Sequence, residues 1–172
     1  MPENRNIQIE KFNDSLNIWI SELKLFTLDQ LLKKPDEKSW SLGQVYMHII
    51  EEANWYNEQS ELSLADTENS DIPLPENAKK LFEAGSFADI KIQADTAVSD
   101  NVKEPESINQ ISENLEKVKK STNDLWVKIS NNKSFGRSEF PGFGYLNCFE
   151  WLQFSEMHMS HHLRQKRRIE EF

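Results

Sequence analysis

"WLQFSEMHMSHHLRQKRRI", residues 151–169, holds three of the chain's four histidines and decides how the rest is read. Trp151, Phe154, Ser155, His158, His162, Gln165 and Ile169 recur at spacings of three and four, the period of one helical face. At about 100° per residue they form a single stripe, so the stretch reads as a helix whose buried seam carries polar groups. His158 and His162 stand one turn apart with both imidazoles directed the same way, an arrangement that can present two nitrogens to one metal ion, with a surface-exposed pair as the alternative. His161 lies beside that stripe, at its rim. The helix is expected from Cys148 to Glu170, with Asn147 as its cap.

The remaining sequence supplies helices to pack against this one. Ile9, Phe12, Leu16, Trp19, Ile20, Leu23, Phe26 and Leu31 predict a first helix from Ile7 to Lys33, ended ahead of Pro35. Ser41 and Gln44 form a capping-box pair that opens a second helix, running to about Leu64. Its inward stripe holds Val45, His48, Ile49, Glu52, Trp55 and Tyr56. A third helix spans residues 107–131 with Ser107 as its cap. Residues 132–147, rich in Asn, Gly and Ser, read as a turn or loop.

Residues 66–106 differ from everything around them. They contain ten acidic residues against four lysines, with Pro73, Pro75 and Pro105. Long connections of this kind are uncommon unless functional or mobile, so the segment reads as an acidic crossover and lid, with an inert linker as the alternative. A short helix is expected near residues 76–84. Leu74, Leu81, Phe82, Phe87, Ile90 and Ile92 are expected to pack part of the segment on the domain. "ADIKIQA" at 88–94 shows the chain's single weak alternation. The expectation is one all-α domain over residues 1–172: a four-helix bundle with a long crossover between helices 2 and 3.

Composition narrows the function. A net charge of −9 argues against non-specific binding to nucleic acid or anionic membranes, both of which require clustered cations. The lone Cys148 excludes an internal disulfide framework, and its distance of about three turns from His158 argues against a catalytic part. "MPENRNIQIEKFNDS" lacks a secretory apolar core, and no run approaches the ~18 apolar residues of a membrane span. A soluble cytoplasmic protein acting on a small molecule is expected. Arg164, Lys166, Arg167 and Arg168 gather near a helix C-terminus, where cations are favoured, and read as a solvated face.

His48 supplies a candidate third ligand: it lies on the inward stripe of its own helix and would meet the pair in a bundle whose second and fourth helices are neighbours. A hydrogen-bonded core histidine is the alternative for His48 taken alone. Three unpaired imidazoles on inward stripes would be costly to bury without a partner, which favours a metal. Three neutral nitrogens leave coordination positions open for water or substrate, as in a catalytic site. Glu52, one turn from His48, is read as a base or supporting partner, or else as a solvated carboxylate. Gln165, one turn beyond His162, orients an imidazole or a substrate, or only packs. His161 is a supporting donor or an exposed rim residue. Zinc or nickel is expected, with iron or manganese as alternatives.

"WSLGQVYMHIIEEANWY" (residues 40–56) and "FPGFGYLNCFEWLQFSEMHMSHHLRQKRRI" (residues 140–169) together resemble two segments of the DinB/YfiT-like superfamily. The first has the family's Trp-Ser start and inward histidine. The second has a Pro-x-x-Gly-x-Leu turn, a Trp-Leu pair, His-x-x-x-His and a Gln, at Pro141, Gly144, Leu146, Trp151, Leu152, His158, His162 and Gln165. The resemblance implies a four-helix bundle, often dimeric, with a divalent metal on His48, His158 and His162. It also implies metal-dependent transferase or hydrolase chemistry, with a low-molecular-weight thiol as a further cofactor. Relatives often carry a histidine where this chain has Phe140. The competing expectation is a non-catalytic, metal-stabilised bundle serving as a homodimerisation or binding module through Phe135, Phe140, Phe143 and Tyr145.

Overall fold

The computed structural model describes residues 3–65, 67–88 and 101–170. Among them are six helices: α1 (Glu3–Leu23), α2 (Leu28–Leu32), α3 (Leu42–Ala65), α4 (Glu76–Ala84), α5 (Ile108–Asn131) and α6 (Cys148–Glu170). Two short strands, β1 (Ser138–Phe140) and β2 (Gly144–Leu146), complete the fold. The four long helices close into a ring, α3 packing on α6, α6 on α1, α1 on α5 and α5 on α3. The fold is all-α. Its main core draws on all four: Phe12, Leu16 and Trp19; Val45, Tyr46 and Ile49; Ile111, Leu115 and Val118; Leu152, Met159 and Leu163. No described helix is long and apolar enough to cross a membrane.

The predicted caps close the helix ends. Ser41 Oγ accepts the Gln44 N–H at 3.0 Å while the Gln44 side chain accepts the Ser41 N–H at 3.1 Å. Ser107 Oγ accepts from the Gln110 N–H, and Asn147 Oδ1 from those of Phe149 and Glu150. Each bond satisfies amide donors that a helix start leaves without partners.

Three expectations need correction. The first helix is not continuous to Lys33: it ends at Leu23, and α2 restarts at Leu28. Thr27 and Gln30 form a second capping box, which fixes Thr27 as the start of a new helix. The apolar spacing continues across the break, so periodicity alone runs the two helices together. The loop at 132–147 contains an antiparallel hairpin, with Glu139 opposite Tyr145. Gly144 adopts φ +123° there, and a Cβ on it would lie 2.8 Å from Pro75. Ser138 Oγ anchors the hairpin, donating to the Gln59 carbonyl and accepting from Trp151 Nε1 at 2.7 Å.

Lys166 also departs from the expected solvated face. It is 1% exposed, paired with Glu22 at 2.6 Å and with Glu170, its ammonium 5.1 Å from the Phe26 ring. The α1–α2 corner brings Glu22 and Phe26 over this end of α6, and the two carboxylates offset the cost of burying the cation.

Leu74, Leu81, Phe82 and Phe87 pack on a second cluster formed by Tyr56, Leu146, Trp151 and Phe154. Phe140 and Phe143 join the same cluster, and Phe135 packs near Phe149, so these loop aromatics turn inward. After residue 100 the chain is pinned to the start of α3: the Val102 carbonyl accepts from Gln44 Nε2, and Glu104 from Ser41 Oγ. Ile90, Ile92 and residues 89–94 of the weak alternation lie outside the described residues.

Candidate metal centre

The pairing of α3 with α6 brings three histidines together. His48 stands two turns into α3, and His158 and His162 one turn apart on α6. His158 Nε2 lies 3.2 Å from His48 Nε2 and 3.0 Å from His162 Nε2. All three ligand atoms fall within 4.8 Å of one another, a group that can hold a metal ion.

The donor set fits a cation better than it fits protons. Gln165 Oε1 sits 2.5 Å from His162 Nδ1, so that nitrogen carries the proton and Nε2 keeps its lone pair. At best, a single N–H on His158 is then split between two acceptors. Three nitrogens sharing one proton are under-satisfied; one cation satisfies all three lone pairs. The two spacings from His158 Nε2 agree as well. Metal–nitrogen bonds of about 2.0–2.1 Å, at angles between right and tetrahedral, set neighbouring nitrogens about 2.9–3.4 Å apart.

Electrostatics holds the imidazoles neutral, the state a metal requires. Burial, with a smaller push from His161, lowers the His48 pKa to about 4. Burial and His48 lower that of His162 to about 3, against an opposing contribution from the Gln165 bond. His158 is lowered well below its ordinary value by burial first, then by His162, His48 and His161.

Around the triad the walls are aromatic. The Trp40 ring lies 4.9 Å from His48 and 6.5 Å from His162, and the Tyr56 ring 5.6 Å from His158. Tyr56 donates its hydroxyl to Glu52 Oε2 at 2.7 Å, so the carboxylate is held by a phenol rather than by a cation. Burial, then the charge and hydrogen bond of Glu52, push the Tyr56 pKa up, keeping the phenol protonated. His161 is half-buried beside His162, with its ring 5.7 Å from Phe87 and its Nδ1 3.5 Å from Arg164 Nη2. It does not join the triad. Cys148 is fully buried in the first turn of α6, near Leu125 and Ile129 and away from the histidines.

Trp40 enters the sequence reading only as the first residue of the Trp-Ser start, with no role beside the histidines. It lies on no helical stripe, directly before the Ser41 cap. Gln165 leads to a direct expectation. Gln165→Ala removes the acceptor that orients His162 and should weaken metal binding about ten-fold, as loss of such supporting bonds commonly does. Gln165→Glu restores an acceptor and should recover it; chelator-competition titrations of both variants provide the measurement.

A family model described as the DinB superfamily matches residues 11–165, reaching from within α1 to Gln165. No curated protein matches the chain. The match takes in all three clustered histidines and covers most of the sequence: the chain belongs to the DinB superfamily.

Proposed function

We propose that the chain binds one divalent metal ion through His48, His158 and His162 and acts as a metal-dependent enzyme on a small molecule, of thiol S-transferase or hydrolase type. The convergence of three neutral Nε2 atoms within 4.8 Å is the observation that carries this reading. A bound divalent ion supplies Lewis acidity, drawing the pKa of a thiol or a water towards neutrality and polarising an acceptor group.

The chain's own residues do the rest. Three uncharged imidazoles would leave the net charge of the loaded site equal to that of the ion, where carboxylate ligands would offset it. Gln165 keeps the His162 proton on Nδ1 and its lone pair on Nε2. Glu52, one turn from His48 and held by the Tyr56 hydroxyl, would serve as the base or as a supporting partner of the site. Trp40 and Tyr56 limit water around the triad, which strengthens electrostatic effects inside it.

The test uses protein purified without a histidine tag. Elemental analysis should find about one metal ion per chain, and thiol-conjugation and ester-hydrolysis panels should show turnover that a chelator abolishes. Metal without chelator-sensitive turnover would favour the non-catalytic bundle instead. Protein that neither retains nor takes up metal would remove the basis of both.

A further inference from the structure

Trp40 is 8% exposed and contacts two of the three clustered imidazoles from outside their helices. Its ring is tilted 58° against His48, on α3, and lies within 21° of parallel to His162, on α6. Among the described residues no other tryptophan is placed this way. Trp55 and Trp151 contact Tyr56, Trp19 packs on Tyr46, and Trp126 on Phe149. A hydrophobic staple would explain an apolar residue ahead of the Ser41 cap, since Val45 is buried in the same core. It does not explain why the indole plane is aligned with an imidazole on a different helix.

We propose that Trp40 is a positioning residue for the metal centre, fixing the ring planes of His48 and His162 so that their Nε2 atoms converge. The inference rests on reading the triad as a metal site. Ligand rings held by packing need no reordering when the ion arrives, and this pre-organisation appears as affinity. The effect is greater in the loaded state. A bound divalent ion shares its charge with its imidazole ligands, and the face of an indole attracts positive charge. Trp40 therefore stabilises the loaded triad more than the metal-free one, and its removal should alter metal affinity beyond any change in fold stability.

The experiment compares untagged native chain with Trp40→Phe, Trp40→Leu and His158→Ala, each stripped of metal and titrated with zinc and cobalt(II). Zinc affinity should fall about ten-fold or more in Trp40→Leu, with a smaller loss in Trp40→Phe. The visible cobalt spectrum should shift in both. Cobalt should quench part of the indole emission of the native chain, and that part should be missing in Trp40→Phe. Thermal midpoints of the metal-free variants report any staple contribution separately; if Trp40→Leu does not fold, Trp40→Phe carries the comparison. Zinc affinities within about two-fold of native, with an unchanged cobalt spectrum, would overturn the inference while leaving the triad intact. A native chain that binds neither metal would overturn the metal reading, and this inference with it.

Discussion

His158→Ala is expected to abolish metal binding while leaving the metal-free protein folded. His158 Nε2 is the shared atom of the triad, in contact with both other ligand nitrogens. Without it, His48 and His162 remain as two imidazoles on separate helices. Structural zinc sites with four ligands gain about 10–16 kcal/mol from the metal, so losing one ligand costs about 2.5–4 kcal/mol, roughly a 10²- to 10³-fold drop in affinity. Native protein should be stabilised by about 4 kcal/mol at a metal concentration near a thousand times its dissociation constant, and the variant by almost nothing. In the metal-free state the sign can reverse. The substitution opens a small cavity but removes a partly buried imidazole whose nitrogen faces two like nitrogens. Thermal denaturation with and without zinc should show a large metal-dependent rise for native protein only. A variant that still retains metal after dialysis would refute the assignment.

The fold was legible wherever one physical signal dominated. Ser41 with Gln44, Ser107 and Asn147 mark helix starts because a side-chain acceptor must stand at a fixed offset from the first free amides, and the structure places bonds at all three. The histidine cluster was legible for a related reason: two histidines one turn apart on an inward stripe are visible on a helical wheel. Pairing them with His48 required knowing that α3 and α6 are neighbours. What stayed hidden depends on tertiary partners. The break after Leu23 leaves the apolar period intact, the hairpin at 138–146 is too short for alternation to register, and the burial of Lys166 depends on Glu22 arriving from another helix. Trp40 and Tyr56 owe their places beside the triad to packing between elements. Phe140, directly ahead of Pro141, lies in the aromatic cluster, with its ring 5.1 Å from Trp151.

Acid should separate a buried triad from an exposed one in two measurements. The metal-free protein is expected to lose stability as the pH falls through the window from about 6.5 towards 4 and 3. In the unfolded chain each histidine takes up a proton near pH 6.5, whereas the folded chain holds His48 neutral to about 4 and His162 to about 3. Between those values the unfolded state binds more protons, so stability rises with pH across the window and falls as acid is added. For His48 alone the change is on the order of 3 kcal/mol. Carboxylates contribute acid sensitivity of their own, so the informative quantity is the difference in slope between native protein and His48→Phe, taken from urea midpoints at successive pH values. Metal affinity should respond far less. Because the folded imidazoles hold no proton for a metal to displace, zinc affinity should stay nearly flat from about pH 8 to about pH 5. Exposed histidines would lose up to ten-fold per ligand for each pH unit below about 6.5. A steep fall in zinc affinity between pH 6.5 and 5, measured on protein that circular dichroism shows to be folded, would mean that the three imidazoles are accessible to protons and that the aromatic walls do not shield them.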